Sequence, residues 1–82
     1  MNKKAVFSKV FIKKLDKIDS TLREHIKVKL KQLILDPEIG IPLKGDLKPL
    51  WKFRVSKYRI IYSFDEEFVY FKALGLRKNI YK

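Results

Sequence analysis

Residues 50 to 62 read Leu-Trp-Lys-Phe-Arg-Val-Ser-Lys-Tyr-Arg-Ile-Ile-Tyr, and their alternation predicts a β-hairpin. The apolar side chains of the first strand share one face, whereas Lys52 and Arg54 share the other, because successive side chains point to opposite sides. After a tight turn, the return strand from Tyr58 to Phe64 carries Arg59. Two cations on one face of a strand lie about 6 to 7 Å apart, so they can engage one phosphodiester or two adjacent ones. One face of the hairpin is therefore predicted to pack, and the other to bind an RNA-sized anion.

A strand and a helix are predicted ahead of this hairpin. Residues 4 to 7 are β-prone, and Ser8 follows them as a helix N-cap whose hydroxyl can accept from a free amide of the first turn. The first helix is expected to run from there to about Asp16. Its apolar stripe extends from Phe11 to Ile18, and lysines cover the remaining surface.

A second helix follows and ends at a proline. Thr21 and Glu24 have the spacing of a capping box, so the helix is predicted to begin near Asp19 to Thr21 and to run to about Leu35. Pro37 disfavours helical geometry in the residue before it, which places the end of the helix at Asp36. The two helices are expected to form a hairpin.

The remaining elements complete an α+β prediction. Residues 37 to 49 hold all three prolines and two of the three glycines, which predicts one long loop. Phe68 to Leu74 is predicted to be a further strand that ends at Gly75. We expect a single domain over residues 1 to 82, with a small antiparallel sheet of about four strands in the order β-α-α-β-β-β. The helix hairpin should pack on one face of that sheet.

Composition narrows the functional classes. Twenty Lys and Arg side chains against 9 Asp and Glu give a net charge of +11, so polyanions are the expected partners. With no cysteine and one histidine, the chain is expected to hold neither a metal nor a cofactor. No apolar run approaches the ~20 residues that span a bilayer, and the first residues lack the core of a signal peptide. We therefore expect a soluble cytoplasmic protein without membrane contacts.

Taken together, these residues resemble the RelE/ParE superfamily of toxins from type II toxin–antitoxin systems. The resemblance spans essentially the whole chain and is most specific in the hairpin of residues 50 to 62. The segment Leu43-Lys44-Gly45-Asp46-Leu47 precedes that hairpin, and Gly75, Arg77 and Tyr81 follow it. A RelE-like fold implies a concave basic surface opposite the helices. RelE-type members are ribosome-dependent endonucleases that cut mRNA in the decoding site without a metal.

The resemblance also implies a catalytic set. Lys52, Arg54 and Arg59 match the cations of the hairpin, and Arg77 and Tyr81 match the arginine and tyrosine near the end. Cleavage would proceed by attack of the ribose 2′-hydroxyl on the adjacent phosphate. Lys52 is the candidate general base, because the like charges of Arg54 and Arg59 favour its neutral form. The two arginines would hold phosphate oxygens. Arg77 would assist or neutralise the leaving oxygen, and Tyr81 would stack on the nucleotide.

Further contacts and partners follow from the same resemblance. Lys44, Lys57 and Lys78 are predicted to add RNA contacts outside the catalytic set. The expected partners are a small acidic antitoxin, mRNA in the ribosomal decoding site, and ribosomal RNA, and the toxin alone is expected to be monomeric. Two other functions stay open: a ParE-like poison of DNA gyrase, whose members tend to lack the full cationic set, and a non-catalytic basic RNA-binding module.

Overall fold

The computed structural model describes residues 3–76, and these form two α-helices and five strands. In chain order they are β1 (Lys4–Phe7), α1 (Lys9–Asp16), α2 (Ser20–Leu35), β2 (Ile41–Pro42), β3 (Trp51–Val55), β4 (Tyr58–Phe64) and β5 (Phe68–Leu76). Short 3₁₀ helices at Pro37–Ile39 and Gly45–Leu47 flank β2. The predicted α+β class is confirmed. None of the described helices is long and apolar enough to cross a bilayer.

The strands form one mixed sheet in the order β1-β5-β4-β3-β2. β1 runs parallel to β5, while the other neighbouring strands are antiparallel. The sheet thus has five strands rather than about four, and it is not purely antiparallel. β1 and β5 can run parallel because the chain between them is long and includes both helices. Only a short hairpin loop forces two paired strands to run antiparallel.

Two predicted boundaries in the β half are wrong. The loop over residues 37 to 49 contains β2, whose Ile41 pairs with Lys52. β2 lies at the edge of the sheet, where Pro42 is tolerated because its outer side needs no ladder hydrogen bond. β5 continues through Gly75, which pairs with Arg59, so this glycine does not end the strand.

The helix starts follow capping chemistry at both helices. The hydroxyl of Ser8 accepts from the amide of Phe11 at 3.0 Å, as predicted. At α2 the cap is Asp19, whose carboxylate accepts from the amide of Leu22 at 3.5 Å, so the predicted Thr21 capping box is wrong. A negative charge is favoured at a helix N-terminus by the partial positive charge of the free amides, which gives Asp19 the advantage.

The core lies between the helices and one face of the sheet. Phe11 of α1 is fully buried, and its ring centroid lies 5.7 Å from that of Phe71 on β5. The other fully buried large side chains are Tyr62, Ile26, Leu33, Ile60 and Val69. Because both helices cover the same face, no helix among residues 3–76 lies over the opposite face of β3, β4 and β5.

Candidate functional site

The strand register places the three cations of the hairpin on this open face. Lys52 of β3 lies opposite Ile61 of β4, and Arg54 lies opposite Arg59. Directly opposed residues of an antiparallel pair share a face, with Cβ atoms about 4.5 to 5.5 Å apart. The two guanidinium groups therefore start side by side, and Lys52 lies one pleat further along β3.

The next strand contributes only small side chains to the same rows. Ala73 of β5 lies opposite Ile61, and Gly75 lies opposite Arg59. The row from Arg54 through Arg59 therefore ends at a residue without a side chain.

A groove of about 360 Å³ runs along the edge of this face. Its lining residues are Ile39, Gly40, Ile41, Lys52, Phe53, Arg54 and Arg59. No lining residue is acidic, and within residues 3–76 none of the three cations forms an ion pair. The groove therefore presents uncompensated positive charge beside an apolar wall.

The two arginines differ in how their Nε atoms are satisfied. Nε of Arg54 donates to the carbonyl of Ser56 in the hairpin turn at 3.3 Å, which bends this side chain toward the turn. Nε of Arg59 is buried, and no group among the described residues accepts its hydrogen. An unsatisfied buried donor costs about 1 to 3 kcal/mol, and more when it belongs to a charged group. An anionic oxygen in the groove would remove that cost.

The wall opposite the cations is held against the sheet at close range. A Cβ at Gly40 would collide with the hydroxyl of Tyr62 and would lie 2.7 Å from the carbonyl oxygen of Lys52. The hydroxyl of Tyr62 donates to the carbonyl of Pro37 at 2.6 Å. Burial raises the pKa of Tyr62 to about 12, so the hydroxyl keeps its proton and remains a donor. We call Ile39 and Ile41, held in this way, the isoleucine wall.

The structure brings together only part of the predicted site. Lys52, Arg54 and Arg59 line one groove. Lys44 is exposed beside the 3₁₀ helix at Gly45–Leu47, and Lys57 is exposed in the hairpin turn, with its Nζ 6.0 Å from the centroid of the Tyr58 ring. Neither of these lysines lines the groove. The predicted residues Arg77, Lys78 and Tyr81 lie outside the described residues.

Sequence reasoning missed the isoleucine wall. The only local signal was the alternation Ile39-Gly40-Ile41 directly after a proline turn, which is too short to assign as a strand. Within residues 3–76, no three His, Asp or Glu side chains come together as a set of metal ligands.

Comparisons with known proteins agree with this geometry. A family model described as the ParE-like toxin of type II bacterial toxin–antitoxin systems matches residues 5–82. A chain of the toxin–antitoxin complex RelBE2 from Mycobacterium tuberculosis superposes with a TM-score of 0.80 at 21% identity, covering 96% of this chain and 95% of that one. The isolated RelE toxin of E. coli superposes with a TM-score of 0.76 at 29% identity, over 90% of this chain and 83% of that one.

The same fold occurs in the YoeB/ParE toxin from Agrobacterium tumefaciens. That structure has a TM-score of 0.77 at 19% identity and covers 90% of this chain and 98% of that one. A search of curated protein sequences returns no match. The predicted RelE-like fold is therefore confirmed by structures from several bacteria.

Proposed function

Since the chain belongs to the ParE-like toxins of type II toxin–antitoxin systems, within the RelE/ParE superfamily, we propose that it is an endoribonuclease that cuts translated mRNA on the ribosome. The observation that carries the proposal is the groove. Three cations converge there without an acidic partner among the described residues, and one of them has a buried donor with nothing to bond. Such a site fits a phosphodiester better than it fits a neutral ligand. The proposed place of action is the cytoplasm, where mRNA is translated.

The proposed reaction uses side chains alone. Lys52 removes the proton from the ribose 2′-hydroxyl, and the 2′-oxygen forms a bond to the adjacent phosphorus. The bond from phosphorus to the 5′-oxygen breaks, which leaves a 2′,3′-cyclic phosphate and a 5′-hydroxyl once the leaving oxygen has taken up a proton. Arg54 and Arg59 hold the phosphate oxygens and stabilise the extra negative charge of the transition state.

The remaining predicted residues keep their proposed roles. Arg77 assists or neutralises the leaving oxygen, and Tyr81 stacks on the nucleotide so that the 2′-oxygen lines up. Lys44, Lys57 and Lys78 contact phosphates of mRNA or ribosomal RNA outside the groove. No cofactor takes part in the proposed reaction.

An antitoxin is the proposed protein partner. Solved relatives include complexes of RelE toxins with RelB antitoxins, which makes a small acidic antitoxin the natural partner for a chain of charge +11. It would cover the cations of the groove and so compete with RNA for Lys52, Arg54 and Arg59. We propose that the free toxin is a monomer and that residues 1–82 act as one domain.

Primer extension on a translated mRNA, with and without ribosomes, tests the proposal. We expect cuts only within ribosome-bound codons, with 5′-hydroxyl and cyclic phosphate ends. Lys52→Ala and Arg59→Ala should each reduce cutting by roughly 100-fold or more, because a general base and a transition-state contact each contribute on that order. Lys31→Ala, which removes an exposed cation on α2, is the control and should cut normally. Equal activity in all variants would show that the groove is not the catalytic site.

Two observations favour a second function. The matching family model is named for ParE-like toxins, and a ParE-like chain would act as a poison of DNA gyrase. The helix surface also exposes apolar side chains suited to a protein contact, at Val10, Ile12 and Val28. If this function holds, mRNA should remain intact in arrested cells while DNA replication stops. Measuring both in the same culture separates the two functions.

A further inference from the structure

The isoleucine wall exposes apolar surface inside a charged groove. Ile39 and Ile41 are 42% and 59% exposed, although isoleucine is among the residue types most often buried. Ile41 lies directly opposite Lys52 across the β2–β3 ladder. One groove therefore combines an aliphatic face with a row of cations. A purely anionic ligand such as inorganic phosphate would leave the aliphatic face unused.

This wall is fixed before any ligand binds. The Tyr62 hydroxyl holds the carbonyl of Pro37, and the carboxylate of Asp36 accepts from the amide of Glu38 at 3.2 Å. At Gly40 the chain lies so close to Tyr62 and Lys52 that a Cβ has no room. A preformed wall loses little conformational entropy on binding, so contact with it contributes to affinity more fully than contact with a loop that must first be ordered.

The spacing of the wall and the cations suits a nucleotide. The side chains of Ile41 and Lys52 begin about 4.5 to 5.5 Å apart, and those of Lys52 and Arg54 begin about 6 to 7 Å apart. A nucleotide places a flat ring with apolar faces one sugar away from a charged phosphate. When Arg54 and Arg59 hold the phosphate and Lys52 lies beside the sugar, the adjoining ring falls on the side of Ile41.

We propose that the isoleucine wall binds the nucleobase beside the phosphate held by the cations, and so contributes to the choice of cleavage site. The inference rests on the proposed function, because it assigns a second subsite to the same groove. Contact is with the faces of the ring and not with its hydrogen-bonding edges. The wall therefore senses whether a base is present and how large it is, while the hydrogen-bonding edge of that base remains available for pairing.

The test uses an RNA that binds but cannot be cut. A short single strand with every 2′-oxygen methylated lacks the nucleophile, and a matched series carries one abasic residue at each position in turn. Affinity for each strand is measured by fluorescence anisotropy at fixed salt. We expect one abasic position to weaken binding to the natural chain by about 3- to 10-fold, the effect of losing one buried apolar contact.

Three isoleucine variants show whether the isoleucine wall is responsible for this effect. Ile41→Ala should bind the intact strand and the abasic strand about equally weakly, so the difference in affinity between the two strands disappears. Ile12→Ala truncates an isoleucine of similar exposure on α1, outside the groove, and should keep the full difference. Ile41→Val preserves a β-branched side chain on the edge strand and should keep most of the difference in affinity between the two strands. Far-ultraviolet circular dichroism confirms that each variant is folded.

Each outcome has a defined meaning. If the natural chain cleaves mRNA on the ribosome but no abasic position weakens binding, the inference about the isoleucine wall is wrong and the proposed function stands. If an abasic position weakens binding in a way that depends on Ile41, but no mRNA is cut, base binding by the isoleucine wall is supported and the proposed endonuclease activity is wrong. If Ile41→Ala weakens only the complex with the antitoxin, the wall is a protein contact and the inference is wrong. A change in the pattern of cut codons in Ile41→Ala, at similar total cutting, is the further expected result.

Discussion

Arg59 is held in the folded protein under unfavourable electrostatic conditions. Its side chain lies opposite another guanidinium, at Arg54, and its Nε is buried without an acceptor among residues 3–76. Both features raise the free energy of the protein in the absence of a ligand, and an anion in the groove relieves both. This is the pattern expected where a residue serves binding at the expense of stability.

Replacing Arg59 should therefore separate stability from activity. We expect Arg59→Met, which keeps much of the side-chain length, to raise the free energy of unfolding by about 0.5 to 2 kcal/mol while abolishing cleavage. Urea unfolding of the free protein measures the first effect, and primer extension measures the second.

Arg23 offers a contrasting variant. Its guanidinium donates to the carbonyls of Asp16 and Ile18 at 3.3 and 3.4 Å, so Arg23→Met should lower stability and leave cleavage unchanged. A loss of stability in Arg59→Met similar to that in Arg23→Met would contradict the account of Arg59 given above.

At the scale of elements, the groove is built where a hairpin meets an edge segment. The β3–β4 hairpin was predictable from sequence, because its alternation and its cations are local features of residues 51 to 64. The isoleucine wall was not predictable from sequence, because Ile41 joins the groove only through its pairing with Lys52. A strand of two residues carries no periodic signal. The extension of β5 was missed for a related reason, since Gly75 is a strand breaker locally but is favoured beside the large side chain of Arg59.

Tyr62 joins these elements, and its effect on stability should depend on pH. Tyr62→Phe removes the bond to Pro37 and leaves that carbonyl unpaired, at a cost of about 1 to 2 kcal/mol near neutral pH. The pKa of Tyr62 is raised from 10.0 to about 12, so the folded protein keeps this proton while the unfolded chain loses it. The contribution of the Tyr62 hydroxyl to the free energy of unfolding is therefore fully present below pH 10 and is lost as the pH rises toward 12.

The measurement compares two unfolding curves at each pH. We expect the deficit of Tyr62→Phe relative to the natural chain to narrow steadily above about pH 10. Tyr58→Phe is the control, because it also removes a tyrosine hydroxyl from β4 but leaves the bond between Tyr62 and Pro37 in place. A constant deficit for Tyr62→Phe across the whole range would mean that the hydroxyl titrates alike in the folded and unfolded chains.

For the molecule as a whole, the charge of +11 favours encounters with any polyanion, while the proposed function assigns specific binding to the groove. Lysines are spread over the helices as well as the sheet, so attraction to RNA alone does not identify the binding face. The dependence of affinity on salt does identify it. Each phosphate contact to a single strand contributes about 0.7 to the slope of log affinity against log salt concentration.

We therefore expect Arg54→Ala, which removes a proposed phosphate contact, to reduce that slope by about 0.7 with the methylated RNA described above. Lys31→Ala should leave the slope unchanged, because this lysine is on α2 and does not line the groove. Titrations at four or five salt concentrations suffice for the comparison. Equal reductions in both variants would indicate that RNA spreads over the helices as well as the groove.

The parallel pairing of β1 with β5 has a consequence for biosynthesis. The hydroxyl of Ser8, at the end of β1, donates to the carbonyl of Lys72, 64 residues later in the chain. While the protein is being translated, β1 emerges long before the strand that will receive it. That same late strand supplies Gly75 to the row of Arg54 and Arg59. The sheet therefore closes only when β5 has emerged, and a nascent chain that still lacks β5 leaves both β1 and the outer edge of β4 without a partner strand.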